Sequence, residues 1–120
     1  MDIYAQNIMD HYKNPRNRGE LKGADATQQE VNTTCGDDIT VSIKMAGAKI
    51  AAIKFSGQGC AISQAAISIL SERLVGQSRQ AALKFDFEAL KGILGIPISE
   101  RRHKCAMLGL WAIQKAIKSL

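Results

Sequence analysis

The spacing of apolar residues changes once along this chain, at Gly57, and that change restricts the possible folds more than any other feature. Before it, Ile39, Val41, Ile43 and Met45 alternate with Thr40, Ser42 and Lys44, the period of two that a half-buried strand requires. Ala46-Gly47-Ala48 is a turn, and residues 50–55 form the returning strand of an antiparallel hairpin. After Gly57 the period becomes helical: Ile62, Ala66, Ile69, Leu70 and Val75 trace one stripe up to Gly76. Residues 78–85 and 87–94 predict two shorter helices. Gly95-Ile96-Pro97 breaks the chain, and Ser99 is placed to cap a last helix with the stripe Ala106, Leu110, Ile113, Ile117 and Leu120. Near the start, Ile3, Ile8, Met9 and Tyr12 recur at helical spacing until Asn14-Pro15; residues 15–23 read as loop and 27–32 as an edge strand. Strands first and helices after define an α+β fold, a small antiparallel sheet with helices packed on it. The 120 residues suit one domain, 1–120, and an apolar fraction of 46% supplies its core.

Three cysteines are dispersed over this framework. Cys35 lies in Asn32-Thr33-Thr34-Cys35-Gly36-Asp37-Asp38, in the loop before the first strong strand. Cys60 follows Gly57-Gln58-Gly59 and ends the strand-to-helix turn, while Cys105 stands behind Arg101-Arg102-His103-Lys104 in the first turns of the last helix. An odd number excludes a complete disulfide framework within one chain. Met1-Asp2-Ile3-Tyr4 does not open a signal-peptide pattern, and no apolar run approaches the ~20 residues of a membrane span. The expectation is a cytoplasmic, reducing setting, where dispersed cysteines serve metals or catalysis more often than bridges.

Three thiolates and a carboxylate, Cys35, Asp37, Cys60 and Cys105, are enough to fill a tetrahedral metal site. Cys35 and Asp37 are two apart, so extended backbone would turn both to one face, with Gly36 tightening the loop. At Cys60 the helix dipole and free N–H groups favour a thiolate. Arg102, three residues before Cys105, is expected to share its helix face and keep it ionised. His103 is roughly 200° round the helix from Cys105 and is expected to point away. The competing readings are inert core cysteines and a structural zinc domain that unfolds without its metal. A net charge of +5, with Lys13, Arg16 and Arg18 in one group and Arg101, Arg102 and Lys104 in another, raises nucleic acid as a partner. Only 5% of residues are aromatic and no nucleic-acid motif is present. The basic groups therefore read as a solvated face that also docks an acidic partner, with no nucleic acid and no membrane.

The chain resembles the iron–sulfur scaffold superfamily of IscU, SufU and the N-terminal domain of NifU over nearly its whole length. The resemblance is carried by the opening from Ile3-Tyr4 through Ile8-Met9-Asp10-His11-Tyr12-Lys13-Asn14-Pro15-Arg16 to Gly19, by Asn32 with Thr34-Cys35-Gly36-Asp37, by Gly57-Gln58-Gly59-Cys60-Ala61-Ile62-Ser63, and by Lys104-Cys105-Ala106 with Leu108. It implies a SufE/NifU-like fold with a three-stranded antiparallel sheet. It also implies a scaffold and carrier rather than an enzyme, one that accepts sulfur from a cysteine desulfurase, assembles a labile 2Fe-2S cluster and passes it to apo-proteins. Carried over by position, the cluster ligands are Cys35, Asp37, Cys60 and Cys105, with zinc as an alternative occupant. Cys35 and Cys105 are the candidate persulfide acceptors, the SufU-like likeness pointing to the first and the IscU-like to the second. A monomer or a cluster-bridged homodimer is expected.

The chain stands between branches. Lys104 occupies the place before the last cysteine where IscU-type members have histidine, and Gly95-Ile96-Pro97-Ile98-Ser99 does not match their chaperone-binding Leu-Pro-Pro-Val-Lys stretch. SufU-type members carry an insertion before the last cysteine that this chain is too short to hold. A zinc-bound sulfur relay, a sulfurtransferase-like activity, is the alternative within the superfamily.

Overall fold

Three strands, β1 (Ala26–Asn32), β2 (Asp37–Ala46) and β3 (Lys49–Gln58), form one antiparallel sheet in sequence order in the computed structural model, which describes residues 3–120. Met1 and Asp2 of the opening stretch lie outside the described residues. Val41 on the central strand faces Gln28 of β1 and Phe55 of β3, and Asn32 faces Asp37 across the first turn. Ile39, Val41 and Ile43, with Ile50, Ile53 and Phe55 beside them, are buried, while Thr40 and Ser42 on the other face are partly exposed. The alternation holds until the register slips between Lys44 and Met45, which leaves Met45 only half-buried.

The helices cover the apolar face. They are α1 (Ile3–Lys13), α2 (Ala61–Leu74), α3 (Arg79–Lys84), α4 (Phe87–Leu94) and α5 (His103–Lys118). Ser78 and Asp86 cap α3 and α4 by accepting from the N–H groups of Ala81 and Ala89. Ser99 does not cap α5. It precedes a 3-10 turn over Glu100–Arg102 and makes no cap hydrogen bond, and α5 starts at His103. α5 packs across β1, β2 and α2, and α2 is buried continuously from Ser63 to Ser71 between α5 and α1. Val75 and Leu120, expected on the buried stripes, are exposed because each lies just past the end of its helix.

α1 is held differently from its apolar pattern. Of its predicted stripe only Ile8 is buried; Ile3, Met9 and Tyr12 are exposed, and His11 is buried instead. The face of α2 beneath it presents serines, and these require polar partners. His11 Nδ1 lies 2.7 Å from Ser68 Oγ, which also accepts the Arg16 N–H, while Asn17 donates to Ser71 Oγ. Burial and the nearby Arg16 hold the His11 pKa below its ordinary value. The chain beyond α1 is not a free loop: Phe55 exchanges backbone hydrogen bonds with Asn17 and Gly19, and Ile50 does so with Gly76 and Gln77. These contacts cover the outer edge of β3, which would otherwise invite strand addition. Among the described residues, no helix is long and apolar enough to cross a membrane.

Candidate metal centre

The four predicted ligands come from three junctions at one end of the sheet. Cys35 is exposed in the turn over residues 33–36, and Asp37 opens β2 with its side chain fully buried. The expected extended geometry between them is not what brings them together: Gly36 has φ +71°, so a left-handed turn folds Cys35 back over Asp37. Cys105 occupies the first turn of α5 and is fully buried, with the Asn32 amide donating to its Sγ at 3.9 Å. The two sulfurs and an Asp37 carboxylate oxygen lie within 4.8 Å of one another. Ligands around a tetrahedral ion with bonds of ~2.3 Å stand about 3.8 Å apart, so a contraction of about 1 Å would close them on a metal.

Cys60 stands at the rim. It is half-buried, precedes α2 as its N-cap residue, and is outside the 4.8 Å group. Its backbone N–H donates to Asp37 Oδ1 at 2.9 Å, and the Ser63 hydroxyl reaches the same oxygen at 3.2 Å. Oδ2 is buried and, among the described residues, has no hydrogen-bond partner. A buried carboxylate oxygen left so is costly unless a cation satisfies it. Thiolates with one oxygen suit zinc and iron, so the side chains present fit such a group.

The electrostatics correct one expectation. Burial pushes the Cys105 thiol far above its ordinary pKa, and the Asp37 and Cys35 side chains and the charge of Cys60 add to the rise. Arg102 does not hold it ionised, because that residue belongs to the exposed 3-10 turn rather than to the face of α5 carrying Cys105. A metal that binds Cys105 must displace its thiol proton.

His103 is not among the side chains gathered with Cys35, Asp37 and Cys105. Its ring packs on Phe87 with centroids 4.2 Å apart and lies 6.4 Å from Trp111. Replacing it with alanine is expected to leave metal stoichiometry unchanged and to cost about 0.5–1.5 kcal/mol of stability through the lost ring contact. Metal analysis and a denaturant titration of His103→Ala check both; loss of metal would place the ring among the ligands.

Two residues that support the site were not singled out from the sequence. Ser63 reaches Asp37, and Gly59 leaves room for it: a Cβ there would press into Asp37 Oδ1 and lie 2.5 Å from Ser63 Oγ. The available signal was the hydroxyl three positions after Cys60, where a helix start accepts a capping partner.

A three-stranded antiparallel sheet whose first strand turn and last helix start bring two cysteines to one carboxylate, with a third cysteine at the rim, defines an α+β domain with a candidate metal centre. The model of the NifU-like N terminal domain matches residues 3–120, and the chain belongs to that family. It is 35% identical over 135 aligned positions to the zinc-dependent sulfurtransferase SufU of Bacillus subtilis, covering 96% of this chain and 89% of the relative. It is also 35% identical over 115 positions to the iron–sulfur cluster assembly scaffold protein IscU 1 of Archaeoglobus fulgidus, covering 96% and 74%. Among solved structures, a SUF-system protein from Fervidobacterium islandicum, described as a candidate cluster assembly scaffold, superposes with a TM-score of 0.80 at 26% identity. That match covers 93% of this chain and 94% of the other.

Proposed function

We propose that this protein is an iron–sulfur cluster assembly scaffold, with Cys35, Asp37, Cys60 and Cys105 as the ligands of its cargo. The observation that carries the reading is that the Cys35 and Cys105 sulfurs lie within 4.8 Å of a carboxylate oxygen of Asp37, a buried side chain whose Oδ2 has no hydrogen-bond partner among the described residues. Its partners are a cysteine desulfurase and apo-proteins that receive the cluster, in a cytoplasmic setting, and residues 1–120 act as one domain. The four ligands differ in accessibility, which divides the work. Cys35 is exposed and Cys105 is fully buried, so Cys35 is the residue a partner's persulfide can reach. Its thiolate attacks the outer sulfur of that persulfide; the sulfur–sulfur bond of the donor breaks, and the donor cysteine leaves as a thiolate. Cys105, held in the core, anchors the metal, while Asp37 contributes a hard oxygen that a partner's softer thiolate can displace.

The zinc-bound sulfur relay remains the second reading, favoured by the same exposure of Cys35 and by the likeness to SufU. A structural zinc domain is disfavoured, because one apolar cluster already runs through the sheet, α2, α4 and α5. The test is anaerobic purification, then reconstitution with iron, cysteine and a desulfurase, followed by metal and acid-labile sulfide analysis and a visible spectrum. A 2Fe-2S spectrum and its transfer to an apo-ferredoxin are expected. Retained zinc with accelerated desulfurase turnover and no cluster would overturn the scaffold in favour of the relay.

A further inference from the structure

The first turn of α2 carries N–H groups with no helical acceptor, and the Cys60 side chain makes no cap hydrogen bond. A carboxylate from another strand caps it instead. Asp37 Oδ1 accepts from the Cys60 N–H at 2.9 Å and from the Ser63 hydroxyl at 3.2 Å. That hydroxyl also faces the Cys60 carbonyl at 3.0 Å, but this carbonyl already accepts the Gln64 N–H, and a carboxylate is the stronger acceptor for the one proton. Ser63 is fully buried, so no water competes for it. Both donors act on the same oxygen, and Oδ2 is left unpartnered.

We propose that Ser63 is a positioning residue that confines Asp37 to metal binding through Oδ2 alone. The proposal rests on the metal-site reading given above and adds to it what sets the coordination number. A carboxylate free to swing can bind an ion through both oxygens. Held by Cys60 and Ser63 at Oδ1, Asp37 offers one oxygen, so that it and three thiolates make four ligands. The single oxygen is then the bond a partner breaks. Gly59 protects the arrangement, since any side chain there would wedge between Asp37 Oδ1 and Ser63 Oγ.

The test uses cobalt(II) alone as the probe, added anaerobically to the purified full chain, with circular dichroism to verify folding. Wild type is expected to show thiolate-to-cobalt charge transfer and the intense visible bands of four-coordinate cobalt. Ser63→Ala should shift to the weaker bands of five-coordinate cobalt and lose affinity about 10–100-fold, the usual effect of removing a group that orients a ligand. Gly59→Ala displaces the same oxygen from the other side and should shift the spectrum likewise, which keeps the test open if one variant folds poorly. In an Asp37→Ala background, adding Ser63→Ala should change neither spectrum nor affinity, because its effect passes through the carboxylate. Four-coordinate bands with wild-type affinity in Ser63→Ala or in Gly59→Ala would overturn the proposal and leave the metal site standing. Absence of thiolate charge transfer in wild type would overturn both.

Discussion

Replacing Cys105 with alanine is expected to abolish stable metal and cluster retention while leaving the fold in place. The residue supplies a soft ligand from the most rigid side of the site, buried at the start of a helix that packs on β1, β2 and α2. Neither a neighbouring side chain nor water replaces a thiolate for zinc or iron. Loss of a supporting group costs about 10–100-fold in affinity, and loss of a ligand should exceed the upper end of that range. The apolar cluster does not depend on the sulfur, so stability should fall by only about 1 kcal/mol for the small deletion. Zinc competition titration, the spectrum after reconstitution and a denaturant curve measure the three quantities. Wild-type affinity in Cys105→Ala would show that the metal is held elsewhere.

Asp37→Ala should have two separable effects. The first is on stability: the N-terminus of α2 loses its cap, and such caps contribute about 0.5–2 kcal/mol. Deleting the unpartnered Oδ2 offsets part of this, so a net loss of about 1 kcal/mol is expected in denaturant unfolding. The second is on function. With the displaceable oxygen gone, cluster transfer to an apo-ferredoxin should slow about tenfold, while three thiolates still support assembly. Asp37→Asn separates the effects, because its amide oxygen can still accept from Cys60 and Ser63 while the ligand charge is lost. Equal or faster transfer from Asp37→Ala would sink the release role and leave Asp37 a helix cap.

Much of this was legible because local chemistry decides it. The hairpin over 39–55 follows from strict alternation, and the helices from stripes such as Leu110, Ile113 and Ile117, all buried. The exposed apolar residues of α1 show where periodicity misleads. Ile3, Met9 and Tyr12 have the right spacing, but the surface beneath is Ser68 and Ser71, and polar bonds from His11 and Asn17 set the helix's orientation. Spacing reports which residues can share a face; it does not report what that face meets.

The same division runs through the site. The sequence by itself determined which side chains are candidate donors, since cysteine and aspartate carry their ligand chemistry wherever they stand, and it placed each at a turn or helix start. Tertiary structure alone decided how they differ. Cys35 became exposed through the left-handed turn at Gly36, Cys105 was buried by the packing of α5 so that its thiol pKa is raised, and Cys60 was left at the rim. It also decided which Asp37 oxygen is free, because Ser63 and Cys60 come from a helix that begins more than twenty residues further along the chain. Burial, and the angle at which two distant elements meet, are sums over the whole packed chain, and no local pattern of residues encodes them.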